Sequence, residues 1–205
     1  MRLRPTGLLL LLLPLAGVLL GVWIWGLSLP IDLAPLPAVR PQADAQRIDQ
    51  WAAGLAAAYP ERPLGTPAHT AAQHWLAAEF TALGYVPFTH TFTVTVASRQ
   101  IIGQNTWIAL PGASGASLLV VVPFDTLPHA HPDFDDNARE IATVLELARA
   151  LAFAERTHHW IFLITDAAQY GPAQGQTAFL ETSPLAPTIV AALELDDSQR
   201  LSHPQ

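Results

Sequence analysis

The chain has 205 residues, a net charge of −7 and no cysteine, and all ten of its basic residues are arginine. Disulfide staples and a thiol nucleophile are therefore excluded. The acidic balance argues against a nucleic-acid partner and against docking on anionic lipid heads.

Arg2 and Arg4 precede an uncharged run that reaches Ile31, and its centre, Leu8 to Leu29, is almost wholly apolar. About 20 such residues span a bilayer. Arginines at one end, with Trp23 and Trp25 towards the other, fit a single-pass helix over residues 1–31 with its N-terminus in the cytoplasm. A cleaved signal peptide is the rival; the run is long for one, and no small-x-small site stands clearly at its end. Residues 32–43 read as a Pro-rich linker, with Pro35, Pro37 and Pro41 stiffening the spacer. The rest, 44–205, is expected outside the cytoplasm, periplasmic or extracellular, as one domain with one core.

Within that domain, Asp44 to Tyr59 has helical spacing, with Ile48, Trp51, Leu55 and Ala58 on one side. A second helix is predicted from Pro67 to Leu83, with Gly84 as its C-terminal cap. From Phe88 to Val96 the apolar residues alternate with threonines, the pattern of a half-exposed strand, and Asn105 to Leu110 looks like its partner. Leu118 to Val122 and Trp160 to Ile164 are continuously apolar and read as buried strands. Between them, Asn137 to Ala154 is amphipathic and helical. Gln174 to Thr182 predicts a helix and Thr188 to Leu193 a strand. The alternation implies an α/β domain with a single mixed sheet.

Several segments, in this order, resemble zinc aminopeptidases of the M28 peptidase family. They are Arg62-Pro63-Leu64-Gly65-Thr66-Pro67, Leu83-Gly84-Tyr85, Asn105 to Gly112, Leu118 to Thr126, Phe134-Asp135-Asp136-Asn137-Ala138, Phe162 to Gly171 and Leu193-Glu194-Leu195-Asp196. The resemblance covers roughly residues 45–197. It implies a domain of zinc-aminopeptidase type. The family's closing strands and last histidine ligand have no counterpart before Gln205, so the expectation is an incomplete, degenerate domain.

The resemblance also implies where a two-zinc centre would lie. The first histidine ligand falls on Pro123, and Asp125 keeps the aspartate that orients a ligand. The bridging aspartate falls on Asp136 and a later aspartate ligand on Asp196. The general base falls on Ala168 and the adjacent ligand on Gln169. Hydrolysis at zinc needs imidazole and carboxylate ligands and a base for the metal-bound water. Proline, alanine and glutamine supply none of these. Asp136 and Asp196 are thus a vestigial metal pair, and no catalytic residue and no cofactor is expected.

A rearranged zinc site is the alternative. His129, His131, Asp133 and Asp135 crowd the loop before Asp136, although a solvated, acidic surface loop is the favoured reading of them. His69 and His74 do not share a helix face. His158 and His159 adjoin a strand start and are expected to face solvent. Asp166, at the end of a buried strand, reads equally as a functional residue or a hydrogen-bond acceptor. No G-x-S-x-G elbow is present, and no phosphate-binding loop or lysine to serve one, so no nucleotide is implied.

The functional expectation is a catalytically inactive, membrane-anchored peptidase-like domain. It would act as an accessory or scaffolding subunit of a membrane protein complex, in contact with other membrane subunits or a second copy. The alternative is an active metal-dependent aminopeptidase with rearranged ligands. A third reading gives the main contacts to the anchor helix, where Gly17 and Gly21 are four apart.

Overall fold

The structure, a computed structural model, describes residues 42–96, 98–127, 137–171 and 173–195. The expected anchor over 1–31, nearly all of the linker and the residues Asp136, Asp196, His129, His131, Asp133 and Asp135 lie outside the described residues. Among the described residues no helix is long and apolar enough to cross a membrane.

Helix α1 (Ala45–Ala58) starts at Asp44, whose carboxylate accepts the Gln46 amide at 2.9 Å. This satisfies one of the free donors of the first turn. Helix α2 (Pro67–Ala82) starts at Thr66, whose hydroxyl accepts the His69 amide, and proline occupies its first turn. It stops as the sequence predicts. Gly84 has φ +88°, its amide donates to Thr81 O, and the Tyr85 amide donates to Phe80 O. These two bonds close the end of the helix, and a left-handed residue is required between them.

A five-stranded sheet has the order β1-β2-β4-β3-β5, formed by β1 (Phe88–Val96), β2 (Arg99–Leu110), β3 (Ser117–Pro123), β4 (His159–Thr165) and β5 (Ile189–Glu194). Strands β3, β4 and β5 run parallel, while β2 is antiparallel to both β4 and β1. The sheet is mixed, as expected. Helix α3 (Ala138–Leu151) crosses from β3 to β4, and α4 (Gln174–Thr182) lies between β4 and β5 in sequence. Strand β2 starts at Arg99 rather than Asn105. Gln100, Gly103 and Gln104 hide it from an apolar pattern, but a hairpin pairing from Val96↔Arg99 to Phe88↔Trp107 carries it. Helix α3 ends at Leu151 rather than Ala154, because Arg156 gathers the carbonyls of Leu151, Ala152 and Ala154 around its guanidinium.

The central strands of the sheet are covered on both faces. Ile108, Val120, Val122, Phe162 and Ile164 pack with Leu55 of α1, Leu76 and Phe80 of α2, and Ile141 and Leu145 of α3. Leu119, Val121, Ile161 and Leu163 pack on the opposite side with Phe179 of α4. Burial on both faces explains the uninterrupted apolar runs of β3 and β4. Helices α1 and α3 are also tied by polar bonds. Glu146, fully buried, accepts the Asp44 amide at 2.7 Å and both nitrogens of a forked Arg149 contact at 2.6 and 2.8 Å.

Candidate functional site

In parallel α/β sheets, ligands gather beyond the carboxyl ends of the strands. Here β3 ends at Pro123 and runs into Phe124-Asp125-Thr126. Its neighbour β4 ends at Thr165 and runs into Asp166-Ala167-Ala168. The two exits stay together because the Phe124 amide donates to Thr165 O at 2.8 Å. Asp125 and Asp166 are thereby brought side by side, both fully buried.

Asp125 is held by the loop after β4. Ala167 adopts φ +58°, a left-handed conformation, and the next residues form a single 3₁₀ turn, Ala168–Tyr170. A left-handed residue followed by right-handed ones turns successive amides towards one point, an anion nest. The Ala168 amide donates to Asp125 Oδ1 at 2.8 Å and the Gln169 amide to Oδ2 at 3.2 Å. The Asp125 carboxyl nevertheless titrates well above the usual range, at about 6. Burial raises it most, the nearby Asp166 charge adds to that, and the loop amides only partly oppose both. The Tyr170 phenol is likewise raised, first by burial and then by the charge of Asp125.

Asp166 has a different set of partners. His69 Nε2 lies 2.7 Å from its Oδ1, while its Oδ2 accepts the Gln104 amide at 2.9 Å and a weaker contact from Gln73 Nε2 at 3.4 Å. His69 and Gln73 are four residues apart on α2, so one helix face presents both to the carboxylate. The Asp166 amide donates to Asn105 Oδ1 at 2.9 Å, and Asn105 Nδ2 donates to Gly175 O at 2.7 Å. Arg62 completes the floor, with its guanidinium donating to Phe124 O, Tyr59 O and Asn137 Oδ1. Asn137 in turn donates to Pro123 O at 2.8 Å, which pins the end of β3.

The structure thus brings Pro123, Asp125, Ala168 and Gln169 to one place, where the resemblance put them. At these positions the donor set does not fit a zinc centre. The side chains of Pro123 and Ala168 have no ligating atom, and both Asp125 oxygens face amide donors. Among the described residues no group of three histidine, aspartate or glutamate side chains is arranged to hold a metal ion. Asp136, Asp196 and the histidines of the 129–136 loop lie outside the described residues. His69 and His74 part company as expected, the first buried and the second exposed. His158 and His159 are half-buried rather than facing solvent. The first is 2.9 Å from Ser114 Oγ, and the second accepts the Gly112 amide at 2.9 Å.

The sequence reading missed the His69–Asp166 pair, the Asn105 bridge and the Arg62 fork. One signal was available: His69 and Gln73 lie on the same helical stripe as Ala72, Leu76 and Phe80, so two polar residues sit on a buried face.

Among solved structures the chain is similar to glutaminyl cyclases and zinc-dependent exopeptidases. Against the glutaminyl cyclase of Porphyromonas gingivalis the TM-score is 0.62 at 18% identity, over 75% of this chain and 59% of that one. Against the glutaminyl cyclase of an Acidobacteriales bacterium it is 0.65 at 18% identity, over 80% and 61%. A Zn-dependent exopeptidase from Parabacteroides distasonis gives 0.65 at 18% identity, over 77% and 62%. No family model and no curated protein matches the sequence. The chain spans about three-fifths of the length of these structures. The likeness establishes the fold, an aminopeptidase-like α/β domain with one mixed sheet.

Proposed function

We propose that the chain is a catalytically silent, membrane-anchored domain on the fold shared by these cyclases and exopeptidases. Its work is protein contact, as an accessory or scaffolding subunit of a membrane protein complex. The anchor over residues 1–31 leaves the N-terminus in the cytoplasm and the folded domain outside. The observation that carries the reading is the occupation of Asp125. The loop that would deliver a base and a ligand delivers Ala168 and Gln169, and their amides bind the carboxylate instead. Strand β5 supports the contact role. Among the described residues it pairs only with β3, and Val190 and Leu193 are 64% and 55% exposed. An apolar strand that the described residues leave exposed at a sheet edge favours coverage by another subunit or a second copy.

The test uses the full chain purified in detergent without chelators. Elemental analysis is expected to find no stoichiometric zinc. Fluorogenic aminoacyl substrates and N-terminal glutaminyl peptides are expected to remain unchanged, with or without added zinc or cobalt. Identifiable membrane proteins, or further copies of the chain, are expected to copurify. Turnover abolished by Asp136→Ala together with His129→Ala or His131→Ala would replace this reading with a rearranged metal-dependent hydrolase.

A further inference from the structure

His90 sits in a hydrogen-bond network that leaves it only one protonation state. Asn105 is fully buried and its amide can be oriented in one way only. Oδ1 must face the donating Asp166 amide, so Nδ2 must face Gly175 O and, at 3.2 Å, His90 Nδ1. An NH₂ group can only donate, so His90 Nδ1 must accept and carry no proton. The other ring nitrogen is fixed from the opposite side. Thr182 Oγ1 gives its single proton to Ala178 O at 2.7 Å, so it must accept from His90 Nε2–H at 2.8 Å. The ring is therefore the neutral Nε2–H tautomer.

We propose that His90 is an acid-sensitive latch, whose protonation at Nδ1 sets a donor against the Asn105 donor and frees α4 from β1 and β2. The geometry gives the latch its reach. Among the described residues both polar ties between α4 and the sheet, Thr182–His90 and Gly175–Asn105, belong to this one network. Helix α4 also holds the site loop, since Gln174 Nε2 donates to Tyr170 O at 2.6 Å. Asn105 reaches the site directly through the Asp166 amide. Acid release at His90 thus loosens the segment that carries Ala168 and Gln169.

Among the described residues no carboxylate forms an ion pair with the ring. Phe92 of β1 stacks at 6.1 Å and Phe179 of α4 meets it edge-on at 5.5 Å. Asp166, at the end of β4, reaches it only through the Asn105 amide. Glu181 of α4 is exposed and forms no ion pair with it among the described residues. Burial accordingly lowers the affinity of His90 for its second proton below that of a free imidazole. The sign follows. A histidine with a depressed folded value stabilises the fold above its unfolded value, and that contribution is lost as the pH falls through the folded one.

The test has two arms on the full chain. Ring ¹⁵N NMR at pH 7.5 is expected to show His90 as the Nε2–H tautomer, with a titration midpoint below 6.5. Amide exchange, expressed as protection factors, is expected to fall on the order of tenfold across residues 174–182 between pH 7.5 and 5. Protection over 138–151 is expected to hold. His90→Gln, neutral at every pH, is expected to remove the pH dependence from 174–182. The pattern separates this effect from Asp125, whose titration acts in the opposite direction. An Nδ1–H tautomer at neutral pH, a midpoint at or above 6.5, or an undiminished acid response in His90→Gln would each overturn the latch. The tautomer measurement needs no variant to fold.

Discussion

His69 Nε2 and Asp166 Oδ1 lie 2.7 Å apart with side-chain exposures of 4% and 0%, although 97 residues separate them in the chain. The pair joins α2 to the end of β4. Its carboxylate is shared with the Gln104 amide of β2, so three elements meet on two oxygens. Asp166→Ala removes the acceptor and leaves buried donors on His69, Gln73 and Gln104. An unpaired buried donor costs about 1–3 kcal/mol, and breaking a buried charged contact costs about 3–5 kcal/mol. The expected loss is therefore about 3–5 kcal/mol in urea unfolding. A loss under about 1 kcal/mol would mean that water replaces the carboxylate and that the triple junction is not what orders this corner.

Asp125 gives a pH dependence whose sign can be fixed. Its folded value, about 6, lies above the ordinary 3.8, first because it is buried and next because Asp166 is close. A raised folded value favours the fold below the unfolded value, and that contribution is lost as the pH rises through the folded one. Between pH 4 and 7 this one group costs on the order of 2–3 kcal/mol. Comparing wild type with Asp125→Asn isolates the effect. Whatever the fixed cost of the new amide beside the Gln169 N–H, the variant is expected to gain on the wild type as the pH rises from 4.5 to 7. Carboxyl ¹³C NMR of the wild type should place the midpoint near 6, and Asp166→Asn should lower it.

Local chemistry made much of the architecture readable. Alternation fixed β1 at Phe88–Val96, uninterrupted apolar runs marked β3 and β4, and Gly84 announced the end of α2. Strand β2 was only half legible, because Gln100, Gly103 and Gln104 are held by backbone pairing rather than by an apolar face. At the site, the meeting of Pro123, Asp125, Ala168 and Gln169 followed from the resemblance. The amide nest did not, since nothing in the identity of Ala167 announces φ +58°. His69 and Asp166 were each visible, but a lone histidine in a helix carries no signal for a partner in a distant strand.

Gly175 tests the close approach of α4 to the end of β4. A β-carbon there would collide with Asp166 O and Asn105 Oδ1, the first a backbone atom and the second locked by its own bonds. Two effects compete in Gly175→Ala. Helix propensity favours alanine by about 1 kcal/mol, whereas forcing extra volume into a packed contact costs about 1–3 kcal/mol, occasionally more. The blocking atoms cannot swing away, so the clash is expected to win and leave a net loss of about 1–2 kcal/mol. The side-chain amide resonances of Asn105 should shift with it. A variant more stable than wild type would show that α4 can rise from the sheet at little cost.

Arg62 makes the sharpest demand on side-chain shape. Its guanidinium is fully buried, with Nε on Phe124 O at 3.1 Å, one terminal nitrogen on Tyr59 O at 2.7 Å and the other on Asn137 Oδ1 at 3.2 Å. The same group lies over the Phe124 ring, 5.7 Å from its centre. A planar fork can serve three acceptors spread around it, but a lysine ammonium concentrates its donors on one atom and is harder to strip of water. Arg62→Lys keeps the charge and is still expected to cost about 2–4 kcal/mol. Asn137→Ala, which breaks the bridge from Arg62 to Pro123 O, should cost about 1–3 kcal/mol. The double variant should cost less than the two added together, because each single change already loosens the same fork. Strict additivity in urea unfolding would show that Arg62 and Asn137 hold the end of β3 independently, and the fork would then not be the element that fixes Pro123 and Asp125 in place.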